Sequence, residues 1–124
     1  MMKHILIVDD DHTNSYLASK LLAHLGYKTT IAWDGHQAID LVENEKFDLI
    51  LMDINMPVLD GLETTEKIFE NSKSSKIPVI ALTADRRTIE NDMHKKVGMV
   101  DHILKPYKME QLKDKLEHYL SKDL

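Results

Sequence analysis

The strongest constraint in this sequence is an alternation. Apolar runs of strand length give way, five times from one end to the other, to segments whose apolar residues recur at helical spacing. Ile5-Leu6-Ile7-Val8 is apolar without a break and stops at Asp9 and Asp10, the mark of a strand covered on both faces. Tyr16, Leu17, Leu21 and Leu25, with Ala18 and Leu22 beside them, then follow a helical period, and Gly26 supplies a left-handed stop. Tyr27 to Trp33 reads as a second strand, rich in β-branched residues and closed by Asp34-Gly35; Ala38, Leu41 and Val42 suggest a short amphipathic helix. Asp48 to Asp53 is the third strand and has the most apolar interior. A turn-rich loop, Asn55 to Gly61, leads into a helix through Leu62, Ile68 and Phe69.

The polar stretch Asn71 to Lys76 reads as a loop. Ile77 to Thr83 is the fourth strand, with Pro78 near its start, where a missing N–H is tolerated. Ile89, Met93 and Val97 predict one helix stopped by Gly98. Val100 to Leu104 is a shorter fifth strand, and Met109, Leu112, Leu116 and Leu120 line the last helix. Five βα units imply an α/β fold with a parallel sheet, helices on both faces and right-handed crossovers. The 124 residues fit one doubly wound domain, expected to span 1–124.

Composition narrows the function. With 43% hydrophobic and 30% charged residues the chain is globular, and its net charge of −5 argues against direct nucleic-acid binding. The absence of cysteine excludes disulfides, thiolate catalysis and cysteine zinc sites, and it suits a reducing compartment. Met1 to Val8 is far too short for a secretory or membrane segment, so a cytoplasmic protein without membrane contact is expected. The seven histidines lack metal-ligand spacing and read as surface or packing residues.

In an open α/β sheet the functional crevice lies beyond the carboxyl ends of the strands, at a topological switch point. Those ends carry Asp9 and Asp10, Asp53, Thr83 and Lys105, whereas the second strand ends at Trp33 and adds no comparable group. With strand order 2-1-3-4-5 (flavodoxin-like), Asp9, Asp10 and Asp53 converge, and Thr83 and Lys105 approach from the other side. Three carboxylates and one ammonium sum to −2, which calls for a divalent cation; Mg²⁺, a hard ion that takes oxygen ligands, is the expected one. The ion would screen the carboxylates so that a phosphoryl donor can reach Asp53, giving an acyl phosphate. Lys105 would supply a second positive contact and Thr83 a hydroxyl donor. Taken singly, each residue has a plainer reading. Asp9-Asp10-Asp11 can be a solvated charge run with Asp11 as a helix N-cap, Thr83 a strand-end hydroxyl and Lys105 a surface lysine. Five such groups on one sheet edge are what favour chemistry.

Four segments carry a family resemblance: Ile-Leu-Ile-Val-Asp-Asp-Asp (5–11), Leu-Met-Asp-Ile-Asn-Met-Pro-Val-Leu-Asp-Gly (51–61), Pro-Val-Ile-Ala-Leu-Thr-Ala (78–84) and Leu-Lys-Pro (104–106). In order and spacing, across essentially the whole chain, they resemble the receiver domains of two-component response regulators. The resemblance implies that Asp53 is the phosphoacceptor, with Asp9 and Asp10 the acidic pair that holds Mg²⁺. It makes Asn55 a metal ligand through its backbone carbonyl, Thr83 the switch hydroxyl and Lys105 the partner of the phosphoryl group. It also implies a cis Lys105-Pro106 bond, and a phosphohistidine on a sensor histidine kinase or histidine phosphotransfer protein as donor. Asn55 and Asp85, two residues after Asp53 and Thr83, would flank the hydrolytic water and tune phosphoryl lifetime; Asp85 equally suits a helix N-cap.

One position departs from the family pattern. Three residues before the lysine, where Tyr or Phe is common, this sequence has His102. Its ring would swing inward with Thr83, contact a partner, or sit half-exposed with no switching role, and its protonation could make the switch pH-sensitive. The switching surface would comprise the fourth helix, fifth strand and last helix, with Met93, His94, Lys95, His102 and Tyr119 as candidates for exposure. The output protein is not readable from the residues.

A haloacid-dehalogenase-type phosphatase is the main rival, because Asp9-Asp10-Asp11-His12-Thr13 fits that family's Asp-x-Asp-x-Thr nucleophile motif with Asp9 as nucleophile. Nothing after Lys105 offers its strand-end acidic motif, and Asp53 would go unexplained. A degenerate receiver acting only as a binding module is a second rival, although every expected site residue is present. Flavodoxin-like cofactor binding lacks a phosphate loop after the first strand. The Met1-Met2 start and Ser-Lys-Asp-Leu end favour a stand-alone receiver, while the 78–84 stretch also resembles receivers attached to hybrid kinases.

Overall fold

A computed structural model of the chain describes residues 2–71, 74 and 76–120. Part of the expected Asn71–Lys76 loop, Met1 and the closing Ser-Lys-Asp-Leu lie outside those residues. Five strands, β1 (His4–Val8), β2 (Lys28–Ala32), β3 (Leu49–Asp53), β4 (Val79–Thr83) and β5 (Asp101–Leu104), form one all-parallel sheet of order β2-β1-β3-β4-β5. The expected order is therefore the observed one. β1, β3 and β4 are buried at every position, the physical reason that they read as unbroken apolar runs. β2 and β5 are the edges and are only partly covered.

Period-two alternation divides each central strand between two cores. Ile5, Ile7, Leu49 and Leu51 pack on one face with Ala18, Leu22, Leu112 and Leu116. Leu6, Val8, Ile50 and Met52 pack on the other with Ala38, Val42 and Ile68. Helices α1 (His12–His24) and α6 (Met109–Leu120) thus cover the first face, and α2 (Gly35–Asn44) and α3 (Gly61–Glu70) the second. Each fully buried Leu, Ile or Met contributes about 1.5–3 kcal/mol, so the centre of the sheet is what fixes the position of its strand ends.

Aspartates open α1, α2 and α3. Asp11 accepts from the Asn14 N–H, Asp34 from Gln37 and Asp60 from Glu63, the last completed as a capping box by the Glu63 side chain. α1 differs from its expected face: Ser15, Ala18 and Leu22 are buried, whereas Tyr16 is 57% and Leu17 55% exposed. Small residues at 15 and 18 let the helix lie against the sheet, which turns the large pair outward.

The expected fourth helix is two short ones, α4 (Arg86–Glu90) and α5 (Met93–Lys96). Asp92 between them adopts a left-handed conformation (φ 54°), which aspartate tolerates better than most residues. The break turns the second segment so that His94 faces inward. His94 was expected on the surface and is 1% exposed; Met93 and Lys95 are exposed, and His102 and Tyr119 are half-buried. No helix among the described residues is long and apolar enough to cross a membrane.

Candidate metal centre

Strand register places the site. Val8 pairs with Met52, Asp53 with Leu82, and Thr83 with Leu104, so residues 9, 53, 83 and 105 emerge together at the carboxyl edge. Carboxylate oxygens of Asp9, Asp10 and Asp53 all lie within 4.8 Å of one another, with Asp9 and Asp53 buried and Asp10 exposed. Lys105 enters from β5, its Nζ 3.4 Å from Asp9 Oδ2 and 3.5 Å from Asp53 Oδ1. Its bond to Pro106 is cis, as the resemblance implied. The backbone N–H of Asp11 donates to Asp9 Oδ1 at 2.9 Å, fixing that carboxylate from the α1 side.

Asn55 turns back over the acid, its backbone N–H donating to Asp53 Oδ1 at 3.3 Å. Its side-chain amide donates to Thr83 Oγ1 at 3.4 Å, and the Asp85 N–H donates to the same hydroxyl at 3.0 Å. Thr83 is fully buried. Asp85 itself caps α4, accepting from the Arg87 N–H at 2.9 Å, while the Arg87 guanidinium grips both of its oxygens at 3.1 and 3.0 Å. That grip holds the Asp85 carboxyl below its ordinary range. The N-cap expected as one of its two roles is present.

Burial pushes the Asp53 carboxyl up to about 6; Lys105 pulls it down, Asp9 pushes it back up, and the Asn55 N–H lowers it again. One ammonium does not neutralise three clustered carboxylates. The donor set is all oxygen, partly solvated and short of positive charge, so it fits a hard divalent cation such as Mg²⁺ better than a soft metal.

All of the strand-end residues singled out in the sequence meet here. Gly61, which was read only as the end of a loop, also belongs to the site's frame: a Cβ there would overlap the carbonyl oxygen of Asp53, and its N–H donates to Ile54 O at 2.9 Å. The signal was an Asp-Gly pair opening the helix after the Asp53 strand. An apolar groove of about 380 Å³ beside the site was missed as well. It is lined by Leu17, Leu21, Pro106 and Tyr107 and reaches Asp9 and Lys105. Its signal was Leu17, a large apolar residue that the core does not use.

Comparison with known proteins agrees with this geometry. The response regulator receiver domain family model matches residues 5–117. The chain is 40% identical over 121 residues to the transcription factor SKN7 of Candida albicans, covering 98% of this chain and 21% of that protein. It is 38% identical over 112 residues to the sensor protein EvgS of Escherichia coli K12, covering 90% of this chain and 9% of EvgS. The chain therefore spans about a fifth of the first relative's length and about a tenth of the second's. Among solved structures, the receiver domain of the sensor histidine kinase PA1611 from Pseudomonas aeruginosa PAO1, with magnesium coordinated in its active-site cleft, has a TM-score of 0.90 at 34% identity. That match covers 98% of this chain and 100% of the other. The chemotaxis protein CheY4 of Vibrio cholerae gives 0.91 at 30%, covering 97% and 100%. Motif order, sheet topology and the family match converge: this chain belongs to the response regulator receiver domains of two-component signalling.

Proposed function

We propose that this receiver takes a phosphoryl group from a phosphohistidine donor onto Asp53, with Mg²⁺, and passes the event to a partner through the α4–α5, β5 and α6 surface. The carrying observation is the convergence of Asp9, Asp10 and Asp53 within 4.8 Å, with Lys105 beside two of them. Asp9, Asp10, Asp53 and the Asn55 backbone carbonyl would hold the ion, which supplies positive charge to the developing phosphoryl oxygens.

The chain's own groups do the rest. An Asp53 oxygen attacks phosphorus; as the new P–O bond forms, the donor's P–N bond breaks and the imidazole leaves with the electron pair. Lys105 pairs with a phosphoryl oxygen, and Thr83 donates its hydroxyl proton to another. Thr83 and His102 then relay the change outward, while Asn55 and Asp85 flank the approach of the hydrolytic water. The proposed setting is the cytoplasm, without direct contact with nucleic acid or membrane, and the donor is a sensor histidine kinase or a histidine phosphotransfer protein.

Acetyl phosphate with Mg²⁺ tests the reading. The protein should acquire a hydroxylamine-labile acyl phosphate that EDTA prevents. Asp53→Asn should remove the labelled residue, whereas Asp9→Asn should leave residue 53 as the position of whatever label remains. Label surviving Asp53→Asn but lost with Asp9→Asn would instead mark the phosphatase rival, and no label on the wild type would mark a binding module.

The groove beside the site suits an apolar helix face of the donor protein. Leu17 is exposed, so Leu17→Glu should leave folding and acetyl-phosphate labelling unchanged. It should slow transfer from a protein donor by about tenfold, equivalent to about 1.4 kcal/mol of lost apolar contact. Equal rates from the protein donor would move that contact elsewhere.

A further inference from the structure

His94 breaks a rule that every other buried side chain among the described residues keeps. It is 1% exposed, yet neither ring nitrogen has a hydrogen-bond partner. Buried polar atoms are nearly always paired, and an unpaired one costs about 1–3 kcal/mol. The ring instead meets His102 of β5 edge to face, with centroids 5.1 Å apart. The inner imidazole fits that contact while it is neutral; a proton added to it finds no acceptor.

The surroundings do not rescue that charge. From β5 the charged or titratable groups facing His94 are His102 and Asp101; from its own segment they are Lys95 and Asp92. Asp101 is already committed, accepting from Lys115 Nζ, the His102 N–H and the Tyr119 hydroxyl, each at 2.8 Å. α6 therefore spends Lys115 and Tyr119 on Asp101.

We infer that His94, packed on His102, forms a proton-operated latch: the neutral His94 ring seats α5 against β5, and protonation of His94 at mildly acidic pH releases the segment from Met93 to Leu104. Local structure makes this segment the one to yield. α5 has four residues, begins at the left-handed Asp92 and is followed by Gly98 at φ +95°. Before β5 the segment's inward anchors are His94, Val97 and Met99, and β5 adds Ile103. The segment also reaches the metal centre. His102 pairs with Ala81, two residues before Thr83, and the Lys105 N–H donates to Thr83 O at 2.8 Å.

The sign follows from burial. Desolvation, then the neighbouring His102 and Lys95, hold the His94 ring below the ordinary imidazole value of 6.5, with Asp92 and Asp101 opposing. As pH falls through about 6.5, the open segment binds a proton that the closed one refuses, so opening gains at acid pH and closure is fully favoured above it. The latch needs no phosphoryl group to operate, so unphosphorylated protein is the right sample.

Amide hydrogen exchange between pH 7.5 and 5, expressed as protection factors, should show protection over residues 93–104 falling by up to tenfold per pH unit below about pH 6.5, the limit for one linked proton. The central strands should hold theirs. His94→Leu, which fills the same apolar space without a proton site, should keep protection over 93–104 constant across that range. An NMR titration of the wild-type rings supplies the check that no variant can spoil: His94 should titrate below 6.5. Titration at or above that value, pH-indifferent protection over 93–104 in the wild type, or an undiminished pH dependence in His94→Leu would each overturn the latch.

Discussion

Asp53→Asn is expected to abolish the acyl phosphate and at the same time to make the Mg²⁺-free protein more stable. The two effects have one origin. Asp53 is 5% exposed among other carboxylates, and burial raises its carboxyl from 3.8 to about 6. In that window the folded protein keeps a proton that the unfolded chain releases, so wild-type stability should fall as pH rises from about 4 to about 6 and stay low above it. A shift of that size corresponds to at most about 3 kcal/mol, and partial solvation reduces it to about 1–2 kcal/mol. The Asn variant should lack this slope and exceed the wild type by that margin at pH 7.5. Millimolar Mg²⁺ should close the gap by stabilising the wild type alone. Urea unfolding at pH 4.5 and 7.5, with and without Mg²⁺, measures all of this. A variant less stable than the wild type at pH 7.5 without Mg²⁺ would mean that Lys105 compensates Asp53 more fully than its 3.5 Å separation suggests.

Gly61→Ala should have the largest effect on folding. The added Cβ would overlap the Asp53 carbonyl oxygen and lie 2.8 Å from Ile54 Cα, both of them backbone atoms that cannot rotate aside. Retreat is blocked because the Gly61 N–H is bonded to Ile54 O at the first turn of α3. Overpacking of this kind costs roughly 2–4 kcal/mol, so the urea midpoint should drop sharply and labelling by acetyl phosphate should fall with it. Gly26→Ala is the matched control. No atom lies within 4 Å of its added Cβ, but φ is +96°, so about 1 kcal/mol is lost while labelling persists. Equal destabilisation by the two would place the cost in backbone conformation and not in contact with the Asp53 strand.

These two sites mark what was legible in the sequence. β1 and β3 could be read because a strand covered on both faces loses its alternation and becomes an apolar run ending in carboxylates. Edge status shows in Lys28-Thr29-Thr30, where β2 meets solvent. The strand-end rule then brought Asp9, Asp10, Asp53, Thr83 and Lys105 to one place. Helix faces were harder. Tyr16 and Leu17 have the right period, but rotation about the α1 axis is chosen by the small Ser15 and Ala18, one of them polar and satisfied by donating to His12 O. Ile89, Met93 and Val97 sustain a helical period straight through Asp92, with no glycine or proline to announce the break. His94 falls on the outward face of one continuous helix, and its burial depends on that unannounced break. Gly61 escaped notice because its role is set by where a distant strand's backbone passes.

Thr83 carries one last consequence. A hydroxyl has two lone pairs and one hydrogen. Asn55 and Asp85 donate to its oxygen, which occupies both lone pairs and leaves only the proton to offer. This corner of the pocket is thus a polarity filter, able to welcome a group that accepts hydrogen and unable to answer one that brings it. On the proposed function a phosphoryl oxygen would take that one proton, and a group offering only a hydrogen would find both lone pairs occupied.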